Sequence, residues 1–425
     1  MSVLRLPVSR RHRTSRLAAF VLTPLVLLFA ACGENTGPGC CASVDSLAAL
    51  PRALSTAEQD AVAAGNTFAL SLLRESDTRA NGKNVLLSPL SVSLALGMTM
   101  NGAAGTTLSE MTRTLGWGAR PRAEINTAYR DLMTLLPSLD TTVTIRIANG
   151  IWVRQPLVVD TAFGGDVRRY FGADVRRAAN PQAMFDAVNS WGNQQTDGMI
   201  PRVLTEPPPD DLLMLLANAV YFSGRWRDRF NVADTRPAPF RLESGTEVSV
   251  PMMQRTGSFR GAQTSTYVAA ELPYGNSAYA MLLVMPQEGN IGELVAGLTP
   301  ARLTEIVAGL QTQGERAQLF LPRFSVKGSV ELTPHLAQLG MPRAFSDAAE
   351  FPRLLGERVK LGFVQHSVAL DVDERGTRAA AVTVVGIVPV SLPPQFRADR
   401  PFVFFIRERF AGTILFTGVV RDPRQ

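Results

Sequence analysis

The chain has 425 residues, 46% of them hydrophobic, and a formal net charge of +6. This length and composition can bury a large core in one or two domains. Five arginines and no acidic residue precede Cys32, so the chain beyond residue 31 has 38 basic against 37 acidic residues. Such a nearly neutral body argues against nucleic acid as the partner.

Cysteine and histidine usage excludes several kinds of site. All three cysteines, at positions 32, 40 and 41, lie close to the N-terminus, so the body has no disulfide and no thiol nucleophile. Beyond His12 only His335 and His366 remain, which are too few for a usual zinc site. The G-x-S-x-G elbow of many hydrolases is also missing. We therefore expect no cofactor and no metal, and we expect that the protein is not an enzyme.

Residues 1–31 predict an export signal. A basic region precedes an apolar run over residues 17–29, which is too short for a typical membrane span. The small residues directly before Cys32 resemble the lipobox of bacterial lipoproteins, and this resemblance implies that Cys32 is lipidated after cleavage. Because Gly33 rather than an aspartate follows, the anchor is expected in the outer membrane. Ordinary cleavage near Ala31 would instead release an extracellular or periplasmic protein.

Residues 32–54 are rich in Gly, Pro, Ala and Ser and predict a tether. Residues 55–425 predict one domain, because they contain no internal repeat and no interdomain linker. The domain opens with Ser55-Thr56-Ala57-Glu58, a capping box that begins a helix through Leu73. A short strand from Asn84 then enters a second helix, with Pro89 in its first turn.

Further periodic segments predict the remaining elements. Helices are expected around residues 107–115, 124–136, 158–170, 181–196, 291–310 and after 329. Strands are expected at residues 142–153, 212–222, 248–253, 267–273, 278–285, 318–324, 402–406 and 413–419. The strand at 212–222 is almost entirely apolar, which is typical of a strand covered on both faces.

The stretch from Val364 to Leu392 combines two patterns. Its first part alternates, with His366 on the apolar face, and predicts a half-buried strand. After Gly376 the residues are small or β-branched, and no charge lies between Arg378 and Arg397. This segment is either a buried core strand or an exposed loop that becomes a strand at a sheet edge. The prolines that follow favour an extended shape, as a protease active site requires of its substrate.

Several segments resemble the serpin family of serine protease inhibitors, in the family's order over residues 56–425. The segment from Asn84 matches N-x-x-x-S-P-x-S, and the segment from Asn218 matches N-A-x-Y-F-x-G-x-W-x-x-x-F. The string N-S-W-G-N-Q-Q-T-D-G-M-I-P-R-V-L is similar to a serpin helix and its exit turn. E-R-G-T-R-A-A-A-V-T resembles the family's hinge, and V-P-V-S-L-P-P resembles its reactive-site loop. The resemblance implies a bacterial lipoprotein-type member with an α+β serpin fold: three β-sheets, surrounding helices and an exposed reactive-centre loop.

The resemblance also implies a mechanism. A serpin is a suicide substrate: the protease cleaves the loop, the loop inserts into the central sheet, and the serine protease is trapped covalently. The cleaved bond is expected between Val390 and Ser391, because Val390 follows Glu374 at the spacing of inhibitory members. A small branched residue before this bond suits an elastase-like protease, whereas trypsin-like pockets need Arg or Lys. Cleavage after Ile387 or Val388 is the alternative register. We expect the inhibitor to act as a monomer.

Site residues follow from the same resemblance. The hinge comprises Glu374, Arg375, Gly376, Thr377, Ala379, Ala380 and Ala381. The shutter at the centre of the main sheet comprises Ser88, Ser91, Asn218 and His366, and Trp226 matches the breach, where insertion begins. The sequence pattern alone is also consistent with a hydrogen-bonded core histidine at His366 and with an ordinary core aromatic residue at Trp226.

Two further expectations concern the hinge. Some serpins pair the hinge glutamate with a lysine, but Asn290 stands near that lysine's place, so no salt bridge is expected at Glu374. The competing function is a serpin fold that has lost inhibition and serves as a binding protein. Bulky residues or prolines between Gly376 and Thr383 would favour it, and the face with Thr377, Ala379 and Ala381 has none, since Arg378 lies on the opposite face. A Ser–His hydrolase is poorly supported, because His366 lies on a strand face without a nucleophile elbow.

Overall fold

The computed structural model describes residues 46–355, 358–376 and 393–425, all within the unit Val44–Gln425. The predicted leader, Cys32, the hinge residues from Thr377 onward and the bond between Val390 and Ser391 lie outside these residues. Among the described helices, none is both long and apolar enough to cross a membrane.

The described residues form nine α-helices. They are α1 (Thr56–Arg79), α2 (Pro89–Met100), α3 (Gly105–Thr114), α4 (Arg122–Ser138), α5 (Thr161–Phe171), α6 (Pro181–Gln195), α7 (Ile291–Ala296), α8 (Pro300–Ala308) and α9 (Thr333–Gln338). Two short 3₁₀ turns, Val232–Asp234 and Pro342–Phe345, complete the helical part.

The strands of the described chain fall into four hydrogen-bonded groups. Their bounds are β1 (Val85–Leu87), β2 (Thr144–Arg154), β3 (Asp174–Ala178), β4 (Met214–Ser223), β5 (Arg236–Arg241), β6 (Glu247–Thr256), β7 (Phe259–Gln263), β8 (Tyr267–Tyr274), β9 (Tyr279–Pro286), β10 (Gln311–Gln313), β11 (Gln318–Pro322), β12 (Phe324–Glu331), β13 (Gln365–Val372), β14 (Gln395–Arg397), β15 (Phe402–Glu408) and β16 (Ile414–Val420). Seven strands pair in the order β1-β16-β15-β9-β8-β7-β10 and four in the order β14-β11-β6-β5. The remaining groups are β3-β2-β4 and the pair β12-β13.

Local sequence explains where the first elements begin and which strands lie inside. The Ser55 side chain accepts from Glu58 N while the Glu58 carboxylate accepts from Ser55 N, so the predicted capping box is present at α1. Strands β9, β15 and β16 are buried along their whole length, as continuous apolar runs require. The seven-stranded sheet therefore forms the centre of the main hydrophobic core.

The two smaller groups are the parts of a third, divided sheet. Strands β4 and β13 both begin at the wall of one cavity. Shortly after both strands end, an isolated β-bridge joins Arg225, which follows β4, to Gly376, which follows β13. Within the described residues β4 pairs only with β2, and β13 only with β12. Each of the two strands therefore presents one unpaired edge toward the other, and helix α2 lies beneath the space between them.

Some elements differ from the predictions. The predicted strand 318–324 is two strands, β11 and β12, and β12 continues to Glu331, so the helix after residue 329 begins only at Thr333. Short edge strands such as β3 and β10 were not predicted, because they consist mostly of polar residues and show no alternation of apolar and polar side chains. Residues 46–54, assigned to the tether, pack on the body: Leu47, Leu50 and Leu54 contact the core.

Candidate functional site: the divided sheet and its hinge

The hinge end of β13 is held against the segment that follows β4. Trp226 N donates to Arg375 O at 3.1 Å, and Phe230 N donates to Glu374 O at 3.1 Å. The indole Nε1 of Trp226 donates to Asp373 O at 2.9 Å. Three consecutive carbonyl groups, from Asp373 to Arg375, therefore accept hydrogen bonds from one segment, so Trp226, the predicted breach residue, contacts the start of the hinge.

Gly376 occupies a position that only glycine can fill. Its φ of +105° is disfavoured for residues with a Cβ, and a Cβ there would overlap Trp226 N and Gly224 O. A second bridge joins Gly376 to Asp373, so the chain reverses its direction between these residues. A strand that continued in this reversed direction would run antiparallel to both β4 and β13.

The expectation that Glu374 makes no salt bridge is wrong. The Asn290 side chain caps α7 by accepting a hydrogen bond from Glu293 N, whereas Arg323, directly before β12, forms an ion pair with Glu374. Thr235 Oγ1 donates to the same carboxylate oxygen at 2.6 Å. The Glu374 side chain is only 3% exposed, and burial by itself would raise its pKa. The hydrogen bonds from Arg323 and Thr235 outweigh this effect and hold the pKa below its ordinary value.

His366 is buried in the divided sheet, where the first turn of α2 meets β13. Its Nε2 accepts a hydrogen bond from Ser88 N at 3.0 Å, so this nitrogen carries no proton. Ser88 Oγ in turn donates to Leu415 O on β16. Burial lowers the pKa of His366 to about 4, which keeps the imidazole neutral at physiological pH.

The other predicted shutter residues, Ser91 and Asn218, meet where the first turn of α2 contacts β4. Ser91 Oγ lies 3.5 Å from Asn218 O, and Asn218 Nδ2 donates to Asn149 Oδ1 at 2.7 Å. Asn149 Nδ2 then donates to Phe171 O at 2.6 Å. The Asn218 Oδ1 atom is buried without a hydrogen-bond partner in the described part of the chain. The structure thus brings Ser88, Ser91, Asn218 and His366 around one helix turn, with each half of the sheet contacting α2 separately.

A cavity of about 490 Å³ separates β4 from β13 at this level. Its wall includes Ser91 and Ala95 from α2, Leu216 and Asn218 from β4, and His366 and Ser367 from β13. The cavity lies where an additional strand would pass between the two halves of the sheet.

The segment that follows α6 crosses this region. Asn189 on α6 accepts from Val203 N and Leu204 N at 2.7 and 2.8 Å, and Ser367 Oγ on β13 donates to Val203 O at 3.1 Å. These contacts bind the exit of α6 to the far half of the sheet. Sequence reasoning missed Arg323 and Ser367, because each lies far along the chain from its partner. Asn189 and its partners lie in the segment that resembles a serpin helix and its exit turn, but no role was predicted for Asn189.

Comparison with known proteins agrees with this architecture. The family model described as Serpin (serine protease inhibitor) matches residues 63–423. Alpha-1-antiproteinase of Rattus norvegicus is 32% identical over 363 residues, which are 84% of this chain and 87% of that protein. Iripin-2 of Ixodes ricinus is 33% identical over 368 residues, covering 84% of this chain and 92% of the relative.

Solved structures show the same fold. A thermophilic serpin, tengpin, in the native state has a TM-score of 0.78 at 26% identity, over 89% of this chain and 97% of that one. Thyroxine-binding globulin complexed with thyroxine has a TM-score of 0.78 at 27% identity, over 86% of this chain and 99% of that one. With its three-sheet architecture, divided sheet and hinge, the chain belongs to the serpin family.

Proposed function

We propose that the protein inhibits serine proteases as a suicide substrate, with cleavage between Val390 and Ser391. The protease serine attacks the Val390 carbonyl carbon, the bond to Ser391 N breaks, and the new amine leaves with a proton from the protease's histidine. The released segment then inserts as a strand, and the protease stays linked to Val390 as an acyl ester.

The divided sheet is the observation that carries this proposal. The facing edges of β4 and β13 offer backbone donors and acceptors that one antiparallel strand can satisfy on both sides. From Gly376 to Val390 a strand spans about 46 Å at roughly 3.3 Å per residue. That length supports translocation of an attached protease across a domain of this size.

Composition favours inhibition over the alternative of a non-inhibitory binding protein. Thr377, Ala379, Ala380 and Ala381 are small, and a strand of small residues enters a packed sheet with little steric cost. The small branched Val390 supports an elastase-like protease as the target.

The decisive experiment mixes the protein with elastase, chymotrypsin, trypsin and subtilisin and follows covalent complexes on denaturing gels. The wild type is expected to form a denaturant-stable complex with an elastase-like enzyme, and its cleaved form should resist heating far better than the intact form. Thr377→Arg should be cut as an ordinary substrate, because burying an unpaired charge costs several kcal/mol and about 1.4 kcal/mol on the insertion barrier already slows it tenfold. Equal cleavage of both forms, with no change in melting temperature, would show that the protein is a non-inhibitory member.

We also propose that the protein is exported and held at the outer membrane through lipidated Cys32. Mass spectrometry of protein from bacterial membranes should find a diacylglyceryl or triacyl N-terminus. The proposal fails if the mature protein is soluble, begins elsewhere and is unaltered by Cys32→Ala.

A further inference from the structure

The N-terminal residues 46–54, which we call the strap, contact the body at two points. Leu47 N donates to Asn276 O at 2.7 Å, at the turn between β8 and β9. Arg52 makes a bidentate ion pair with Glu58 in the first turn of α1, with distances of 2.7 and 2.6 Å. The hydrogen bond from Arg52 lowers the pKa of Glu58 despite its burial. The strap is therefore fixed both to α1 and to this turn.

The turn at Gly275–Ser277 has a constrained backbone. Gly275 and Ser277 have φ values of +43° and +73°, and a serine in this region persists only when its surroundings hold it there. Asn276 N donates to Asp140 Oδ2 at 2.7 Å, and Asn276 Nδ2 donates to Leu139 O at 2.8 Å. The strap adds the bond to Asn276 O, so the turn is held from two sides.

The same turn supports the segment that receives the hinge. Gly275 N donates to Arg225 O at 2.9 Å, and Trp226 stacks on Tyr274 with ring centroids 4.4 Å apart. Arg225 is in turn bridged to Gly376. A continuous series of backbone contacts thus leads from Leu47 through the turn and Arg225 to the hinge.

We propose that the strap is a positioning element that holds the end of β4 against the hinge and thereby slows insertion of the loop. Insertion requires β4 and β13 to separate at the Arg225–Gly376 bridge. A turn firmly attached to the end of β4 opposes this separation, and release of the strap removes one of its supports. The consequence for inhibition rests on the proposed function, but the effect on the folded chain does not.

Leu47→Pro in the full chain tests the strap, because proline removes the N–H that donates to Asn276 O. Ala49→Pro is the matched control, since its N–H makes no hydrogen bond within the described residues. Leu47→Ile keeps the donor and the apolar side chain and should behave as the wild type. The first readout needs no protease: the rate at which each protein, held below its melting temperature, converts to a heat-resistant form.

Leu47→Pro should convert at least severalfold faster than the wild type and Ala49→Pro. With an elastase-like enzyme, it should trap an equal or larger fraction of protease per molecule cleaved. A strap with only a structural role would lower the melting temperatures of intact and cleaved forms alike and leave both rate and trapped fraction unchanged, which would overturn the inference. Should Leu47→Pro not fold, Leu47→Gly, which keeps the donor but loses the packing, should show a smaller acceleration. Failure of the wild type to trap any protease would refute the proposed function while the conversion rates still decide on the strap.

Discussion

Protonation of His366 should weaken the native state in mild acid. Its side chain is buried, and Nε2 accepts the Ser88 N–H, so a proton on this nitrogen would remove the acceptor and place a charge away from water. Burial lowers the pKa from the ordinary 6.5 to about 4.

The size and sign of the effect follow from this pKa difference. Between pH 6.5 and 4 the unfolded chain binds a proton at His366 and the native chain does not. The free energy of unfolding therefore falls by about 1.4 kcal/mol per pH unit across this window, or about 3 kcal/mol in all. The stabilisation is fully present above pH 6.5 and is lost as the pH falls toward 4.

Urea unfolding of wild type and His366→Gln at several pH values from 7 to 4 measures this term. Glutamine keeps a hydrogen-bond acceptor for Ser88 but does not titrate, so the difference between the two pH profiles isolates His366. His335→Gln is measured beside it, because burial also lowers the pKa of His335 and the contribution of that residue must be separated from that of His366. Parallel profiles for wild type and His366→Gln would refute the reasoning.

Three further changes test the hinge and the reactive bond. Arg323→Met leaves the Glu374 carboxylate buried without its cation and should lower the free energy of unfolding by about 1–2 kcal/mol. Arg323→Lys should retain most of the wild-type stability. Equal urea midpoints for the wild type and both variants would contradict the role of the ion pair. Gly376→Ala must fit a Cβ against Trp226 at a positive φ and should cost about 2–4 kcal/mol by the same measurement, while the exposed Gly314→Ala should cost less than 1. Val390→Arg should shift inhibition from elastase-like to trypsin-like enzymes in rate assays, and unchanged selectivity would show that the bond lies elsewhere.

Much of the architecture could be predicted because it depends on short-range patterns. The capping box at Ser55, the alternation of β13 and the apolar runs of β15 and β16 appear in the structure as expected. Strand β4 is present, but it alternates between buried and half-buried residues and is not covered on both faces as predicted. These elements have periods that persist over several residues, and burial of an apolar face determines their position. The serpin fold followed from motifs whose residues are adjacent in the chain, and the assignment of Trp226 to the breach, from the same motifs, stays a prediction.

Partners that meet only in three dimensions could not be predicted. Arg323 pairs with Glu374 although no salt bridge was expected there, because any cation that reaches the buried carboxylate satisfies it, whatever its place in the sequence. Likewise, composition assigned residues 46–54 to a tether, yet Leu47 donates to the turn at Asn276.

The sequence by itself determined the secondary structure of the core, the family and the small residues on which the proposed insertion depends. Only the tertiary structure decided that β4 and β13 stand apart over α2, that Arg323 holds Glu374, and that the strap reaches the turn beside Trp226. The physical reason is that the periodicity of a segment indicates which of its faces is buried. An ion pair, a hydrogen bond or an unfilled strand position depends instead on which distant residues the completed fold brings within a few ångströms.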